Sequence, residues 1–213
     1  MRAPLLSIFM VLSCLMVYGH KTNGMPQQEQ RSVDASELGK ALEYFSSGKY
    51  HESLLIFEKL DEKYRLNPRY LAYIGVCHYY EWNYEKAISY FDKAIPHLDN
   101  FSPHERSFYY WANAESYFQL TRYVEAIPLY ETMLTLCHDD EKPDAYYRLG
   151  FCHMFSDEWQ DALYDFQQSL DYYHRYRNTP DMQSRITQIT NMVEGCKQKV
   201  NIPTDSIQTT NVP

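Results

Sequence analysis

The sequence predicts an all-α protein, a solenoid of about four helix–turn–helix repeats closed by one C-terminal helix. Three observations carry that expectation. The first is composition: 21 tyrosines stand against only 7 glycines in 213 residues, which leaves little material for hairpin turns or phosphate-cradling loops. The second is self-similarity. Residues 70–95, "YLAYIGVCHYYEWNYEKAISYFDKAI", return as "YYRLGFCHMFSDEWQDALYDFQQSL" at 146–170. The third is a one-sided apolar stripe near the C-terminus, with Met182, Ile186, Ile189, Val193, Cys196 and Val200 at alternating steps of four and three.

The copies align residue by residue. Ile74-Gly75 falls on Leu149-Gly150, Cys77 on Cys152, His78 on His153, Tyr84 on Trp159, Ala87 on Ala162 and Phe91 on Phe166. A third copy at 109–134 supplies Tyr117, Tyr123, Ala126 and Tyr130, and a weaker fourth at 38–60 supplies Tyr44, Gly48, Tyr50, Ser53 and Phe57. The column Ser53, Ala87, Ala126, Ala162 has spacings of 34, 39 and 36 residues, a period that marks a helical repeat. One helix pair cannot bury its own apolar face, so small residues let paired helices approach and aromatics wedge into the next pair. Most of the tyrosines are therefore read as packing.

On these residues the chain resembles the tetratricopeptide repeat family, across roughly 34–174. The resemblance implies a right-handed superhelix in which the first helix of each pair lines a concave face. Repeats are expected at 34–67, 68–106, 107–142 and 143–178, with a capping helix at 179–200. Ser53 in place of Ala, and Lys40 in place of the usual Leu, make the first repeat the poorest fit. Longer spacing before the third repeat comes from "DNFSPHER", where Ser102 and Glu105 form a capping box and Pro103 takes the first helical position. Pro128 is placed in the first turn of its helix, where N–H groups have no partner in any case. Thr179 caps the terminal helix, with Pro180 in its first turn.

Both ends read differently. "MRAPLLSIFMVLSCLMVYG" has the charged start and short apolar run of a secretory signal, so residues 1–19 are assigned to one, with cleavage after Gly19. The same stretch read as a retained N-terminal anchor helix is the alternative. A third reading makes Cys14 of "VLSC", similar to a bacterial lipobox, a lipidation site; Leu12 fits that motif poorly, and membrane attachment would follow only from it. Export to a bacterial periplasm or cell envelope is the expected location. Residues 20–33 and 201–213 are polar and aperiodic and are read as a flexible linker and a disordered tail.

Charge and motif narrow the function. The net charge is −8 and the basic residues are scattered, so neither nucleic acid nor an anionic membrane surface is an expected partner. No HExxH, calcium loop or GxSxG elbow occurs, so no metal, no cofactor and no catalytic residue is assigned. His78 and His153 hold packing positions, and "HDDEK" at 138–142 is an inter-repeat loop. Cys77, Cys137, Cys152 and Cys196 are read as free small hydrophobes, with a disulfide between exported cysteines as the alternative.

What remains is the concave face that the resemblance implies. Its positions place Arg69, Tyr73 and Tyr80 from the second repeat, Phe108, Trp111 and Glu115 from the third, and Tyr147, Arg148, Phe151 and Phe155 from the fourth. Large rings with polar tips have the composition of interface hot spots, and Arg69 and Arg148 suit a carboxylate or backbone carbonyls. The family's chaperone-binding members carry a carboxylate clamp, of which only Arg148 has a counterpart here. The expected function is a non-catalytic protein–protein interaction scaffold that takes a peptide or a partner helix in this groove. A carbohydrate-binding accessory protein, stacking sugars on the same rings, is the alternative.

Overall fold

The computed structural model describes residues 27–201, all in helices, tight turns and short links. The signal segment, Cys14 and the tail from 202 onward lie outside the described residues. Among the described residues nine α-helices follow one another: α1 (Gln27–Ser46), α2 (Tyr50–Tyr64), α3 (Pro68–Tyr80), α4 (Tyr84–Ala94), α5 (Pro103–Gln119), α6 (Tyr123–Leu136), α7 (Lys142–Phe155), α8 (Trp159–Tyr176) and α9 (Gln183–Val200). Each packs mainly on its neighbours in sequence, and α3 also touches α5. That pattern is an α-solenoid of four helix pairs, α1–α2 to α7–α8, with α9 lying on α8.

The small residue of each first helix explains the close pairing. Gly75 and Gly150 face Phe91 and Phe166; a Cβ on either glycine would lie 2.9 Å and 2.7 Å from the nearest ring carbon. Ala41 and Ala114 hold the equivalent places opposite Phe57 and Tyr130, and all four aromatics are fully buried. The first repeat thus uses the same device as the others. Its Ser53 replaces the usual Ala without loss, because its hydroxyl donates to the Ala41 carbonyl at 2.9 Å.

Every hairpin inside a repeat turns through one left-handed residue: Gly48 (φ 71°), Trp82 (61°), Thr121 (58°) and Asp157 (61°). Asn67 caps α3 by accepting from the N–H groups of Arg69 and Tyr70. Ser102 caps α5, its Oγ accepting from Glu105 N at 3.2 Å. The capping box is only half formed, because the Glu105 carboxylate is taken up by Arg69 and Tyr109.

Two boundaries and the position of one proline differ from the sequence reading. α1 begins at Gln27, so part of the expected linker is helical; its Gln, Glu and Arg are polar but good helix formers. Pro128 sits inside α6, beyond its first turn, yet the helix continues. The carbonyl it leaves without a partner is that of Val124, which is 70% exposed and can face water. Finally, Thr179 precedes a short 3₁₀ turn, Pro180–Met182, and makes no side-chain cap; α9 starts after it. α9 buries Ile186, Ile189, Val193 and Cys196 as its stripe requires, while Val200 at its end is exposed. Cys77, Cys152 and Cys196 are buried thiols and Cys137 is half-buried; burial raises the Cys77 and Cys152 thiols to about 12.

Candidate functional site: the face of the first helices

The ten residues expected to line the groove divide into two groups. Tyr73 is held between repeats, stacked on Phe45 at 4.5 Å between centroids and near Phe57 and Tyr109. Tyr147 is buried against Phe151 and Phe166, with the Arg185 guanidinium of α9 4.4 Å above its ring. Phe151 packs edge-on against Phe166 at 5.2 Å. These three rings belong to the seams between helices.

The two arginines expected to meet a partner are engaged within the chain. Arg69 makes a fork with Glu105 of the next repeat, Nε to Oε1 at 2.8 Å and Nη2 to Oε2 at 3.1 Å, and lies against Phe101 and Tyr73. Arg148 reaches back from the fourth repeat to Glu115 of the third, Nε to Oε1 at 2.6 Å and Nη2 to Oε2 at 2.8 Å. Glu115 is 2% exposed and also accepts from the Tyr130 hydroxyl at 2.5 Å. The Arg148 guanidinium stacks on Phe118 at 4.6 Å. Burial works against its charge, but Glu115 more than offsets this and the pKa rises. Burial, then Glu115, holds the Tyr130 hydroxyl protonated far above its ordinary range. This triad ties the third repeat to the fourth through charge-assisted hydrogen bonds.

The second group is open to solvent. Tyr80 is 43%, Phe108 39% and Phe155 51% exposed, and Trp111 is half-buried, set edge-on to Tyr130. Tyr80 lies flat on Tyr50, 4.0 Å away and 1° from parallel. Phe155 rests on Tyr123 at 4.8 Å, with Phe118 and Phe151 behind it. Tyr80 and Phe155 are thus each backed by another aromatic and present a firm face.

Phe108 and Trp111 also floor a pocket of about 450 Å³ at the seam of the third and fourth repeats. Ser107 and Met133 complete the floor; Asp140, Glu141, Asp144, Tyr176 and Arg177 form the rim. The end of α8 is pinned over it: Arg177 Nη1 lies 2.5 Å from Asp144 Oδ2, the Tyr173 hydroxyl donates to Asp144, and the Tyr176 hydroxyl donates to Asp139 at 3.1 Å. Glu141 accepts from the His138 backbone N–H at 3.0 Å and approaches His104 Nε2 at 3.1 Å. The sequence placed Phe108, Trp111 and Asp144 on this face but not Tyr176 and Arg177, which end a second helix and carry no groove position of the repeat.

A further exposed ring was also missed. Trp82, 79% exposed, occupies the left-handed turn residue of the second repeat. Its place in a turn gives no periodic signal.

The two repeat-equivalent histidines differ. His153 Nδ1 pairs with Asp165 at 2.7 Å, and that hydrogen bond raises its pKa. His78 is 1% exposed; its Nε2 is 3.2 Å from Glu58 but misaligned for a hydrogen bond, and burial lowers its pKa. Among the described residues no group of three or more His, Cys, Asp or Glu side chains is arranged to hold a metal, and no helix there is long and apolar enough to cross a membrane.

Comparison with known proteins agrees with this architecture. The tetratricopeptide repeat family model matches residues 111–144. No curated protein sequence matches the chain. Among solved structures, MamA from Desulfovibrio magneticus RS-1 superposes with a TM-score of 0.54 at 13% identity, covering 78% of this chain and 94% of that one. A MamA structure from AMB-1 gives 0.58 at 11% identity, covering 82% and 96%. At such identities the likeness concerns the fold. The family match spans the length of one repeat, and the four stacked helix pairs, built on one small-residue and aromatic plan, resemble the tetratricopeptide-repeat architecture.

Proposed function

We propose that the chain is a non-catalytic scaffold of the cell envelope that binds a peptide or a partner helix along its first-helix face. The observation that carries this reading is the exposure of Tyr80, Phe108 and Phe155, with half-buried Trp111, on the same face where Tyr73 and Tyr147 are absorbed by packing. Solenoid stacking leaves these rings partly in water at a cost, since each still has up to roughly 100 Å² of largely apolar surface to bury in a contact. Rigid aromatic anchors of this kind lose little conformational freedom on binding and dominate interface energetics. The arginines take a different role from the one their positions implied: Arg69 and Arg148 tie neighbouring repeats together, and the exposed rings do the binding.

The test is a crosslinking pull-down from the native envelope with two baits, wild type and the triple variant Tyr80→Ser, Phe108→Ser, Phe155→Ser. Circular dichroism first establishes that both melt alike. A protein enriched by wild type and lost from the variant is the expected result. Equal enrichment by both baits would place binding elsewhere and refute the groove.

A further inference from the structure

We infer that the pocket between the third and fourth repeats is a socket for a basic side chain, lysine or arginine, projecting from the polypeptide that occupies the groove. This deepens the proposed function and rests on it. Phe108 and Trp111 supply an apolar floor on which an aliphatic stem can lie, and the pocket's volume of about 450 Å³ accommodates one long side chain. The rim decides the sign of the charge. Three carboxylates, Asp140, Glu141 and Asp144, face one guanidinium, Arg177.

That guanidinium is already committed, at 2.5 Å, to Asp144. Glu141 is engaged by the exposed His104, whose Nε2 lies 3.2 Å and 3.1 Å from its two oxygens, and by the His138 N–H, but by no lysine or arginine. Asp140 makes no hydrogen bond or ion pair among the described residues and stands exposed at the mouth. A cation entering over the rings would meet Asp140 and Glu141 and would also gain from the ring faces. An anion would meet repulsion from the rim and from a chain of net charge −8. The same net charge disfavours a second copy as the occupant. Residues 202–213 contain one aspartate and no lysine or arginine, so that stretch cannot supply the cation.

The experiment pans the full chain against a random dodecapeptide library and measures the selected peptides by fluorescence anisotropy. Selected peptides should share one Lys or Arg among apolar residues. Replacing it by norleucine or citrulline should weaken binding to wild type about tenfold, the combined effect of a partly exposed ion pair and a cation–π contact. The same replacement should change little in the variant Asp140→Asn with Glu141→Gln. Peptides that require Tyr80 and Phe155 but show no basic preference would overturn the socket and leave the groove standing. Failure to select any peptide sensitive to Tyr80→Ser, Phe108→Ser or Phe155→Ser would overturn both.

Discussion

Two glycine-to-alanine substitutions that look identical on paper should move stability in opposite directions. Gly195 lies on the exposed side of α9 with nothing within 4 Å of where a Cβ would stand. Alanine there should stabilise by about 1 kcal/mol, the helix-propensity difference. Gly150 carries the same propensity gain, but its new Cβ would lie 2.7 Å from two carbons of the Phe166 ring and 2.9 Å from a third. Ordinary contact begins near 3.4 Å, so the ring must retreat by about 0.7 Å. Phe166 is 0% exposed, with Tyr147 and Phe151 packed around it, and has nowhere to go without moving a seam. Overpacking of this kind costs about 1–3 kcal/mol.

The propensity term is common to both variants and cancels in the comparison. Gly150→Ala should therefore fall about 2 kcal/mol below Gly195→Ala in urea unfolding. In a chain of this size that difference corresponds to about 4–8 °C in melting temperature. Equal shifts for the two variants would show that Phe166 adapts freely, and the close-packing account of the repeat would be wrong.

The remaining predictions concern charge and strain. Arg148→Met should destabilise by about 3 kcal/mol, since it strands the buried Glu115 carboxylate, whereas the double variant with Glu115→Met should recover most of that loss; a double-mutant cycle checks the coupling. The equivalent histidines should give opposite pH responses between about pH 5 and about pH 8. His78 has a lowered pKa, so stability is lost as pH falls below the ordinary 6.5, because the unfolded chain takes up a proton the folded one refuses; His78→Gln should flatten that acid limb. His153 has a raised pKa, so its contribution is complete below 6.5 and is lost as pH rises through the folded value; His153→Gln should lose stability chiefly on the acid side. Trp82→Asn should stabilise by about 1 kcal/mol, because asparagine accepts the left-handed backbone at φ 61° far more readily than tryptophan. A melting curve decides it, and an unchanged or lower transition would mean the indole has a packing role.

The repeat was legible in the sequence because its small and aromatic positions are fixed by contacts within one helix pair, and such contacts recur at one period. The terminal helix was legible for the same reason, as its stripe is local. What lay between repeats was not. Arg69 finds Glu105, and Arg148 finds Glu115, only after two repeats are stacked, so each arginine read as available when it is in fact paired. Glu105 looked like half of a capping box because the local motif is intact; a nonlocal guanidinium outcompetes the local N–H. The pocket rim is nonlocal too, with Tyr176 and Arg177 brought to Phe108 by the length and direction of α8. The helical start at Gln27 was hidden because polarity alone does not separate a linker from a solvated helix.

Hydrogen–deuterium exchange of the full chain, with and without the partner captured by the wild-type bait, tests the central claim most directly. Bound partner should protect segments of α3, α5 and α7, with the loop 138–141 at the pocket mouth, and leave α4 unchanged. Protection confined to α2, α4, α6 or α9 would contradict that claim, and would move the binding surface to the opposite side of the solenoid.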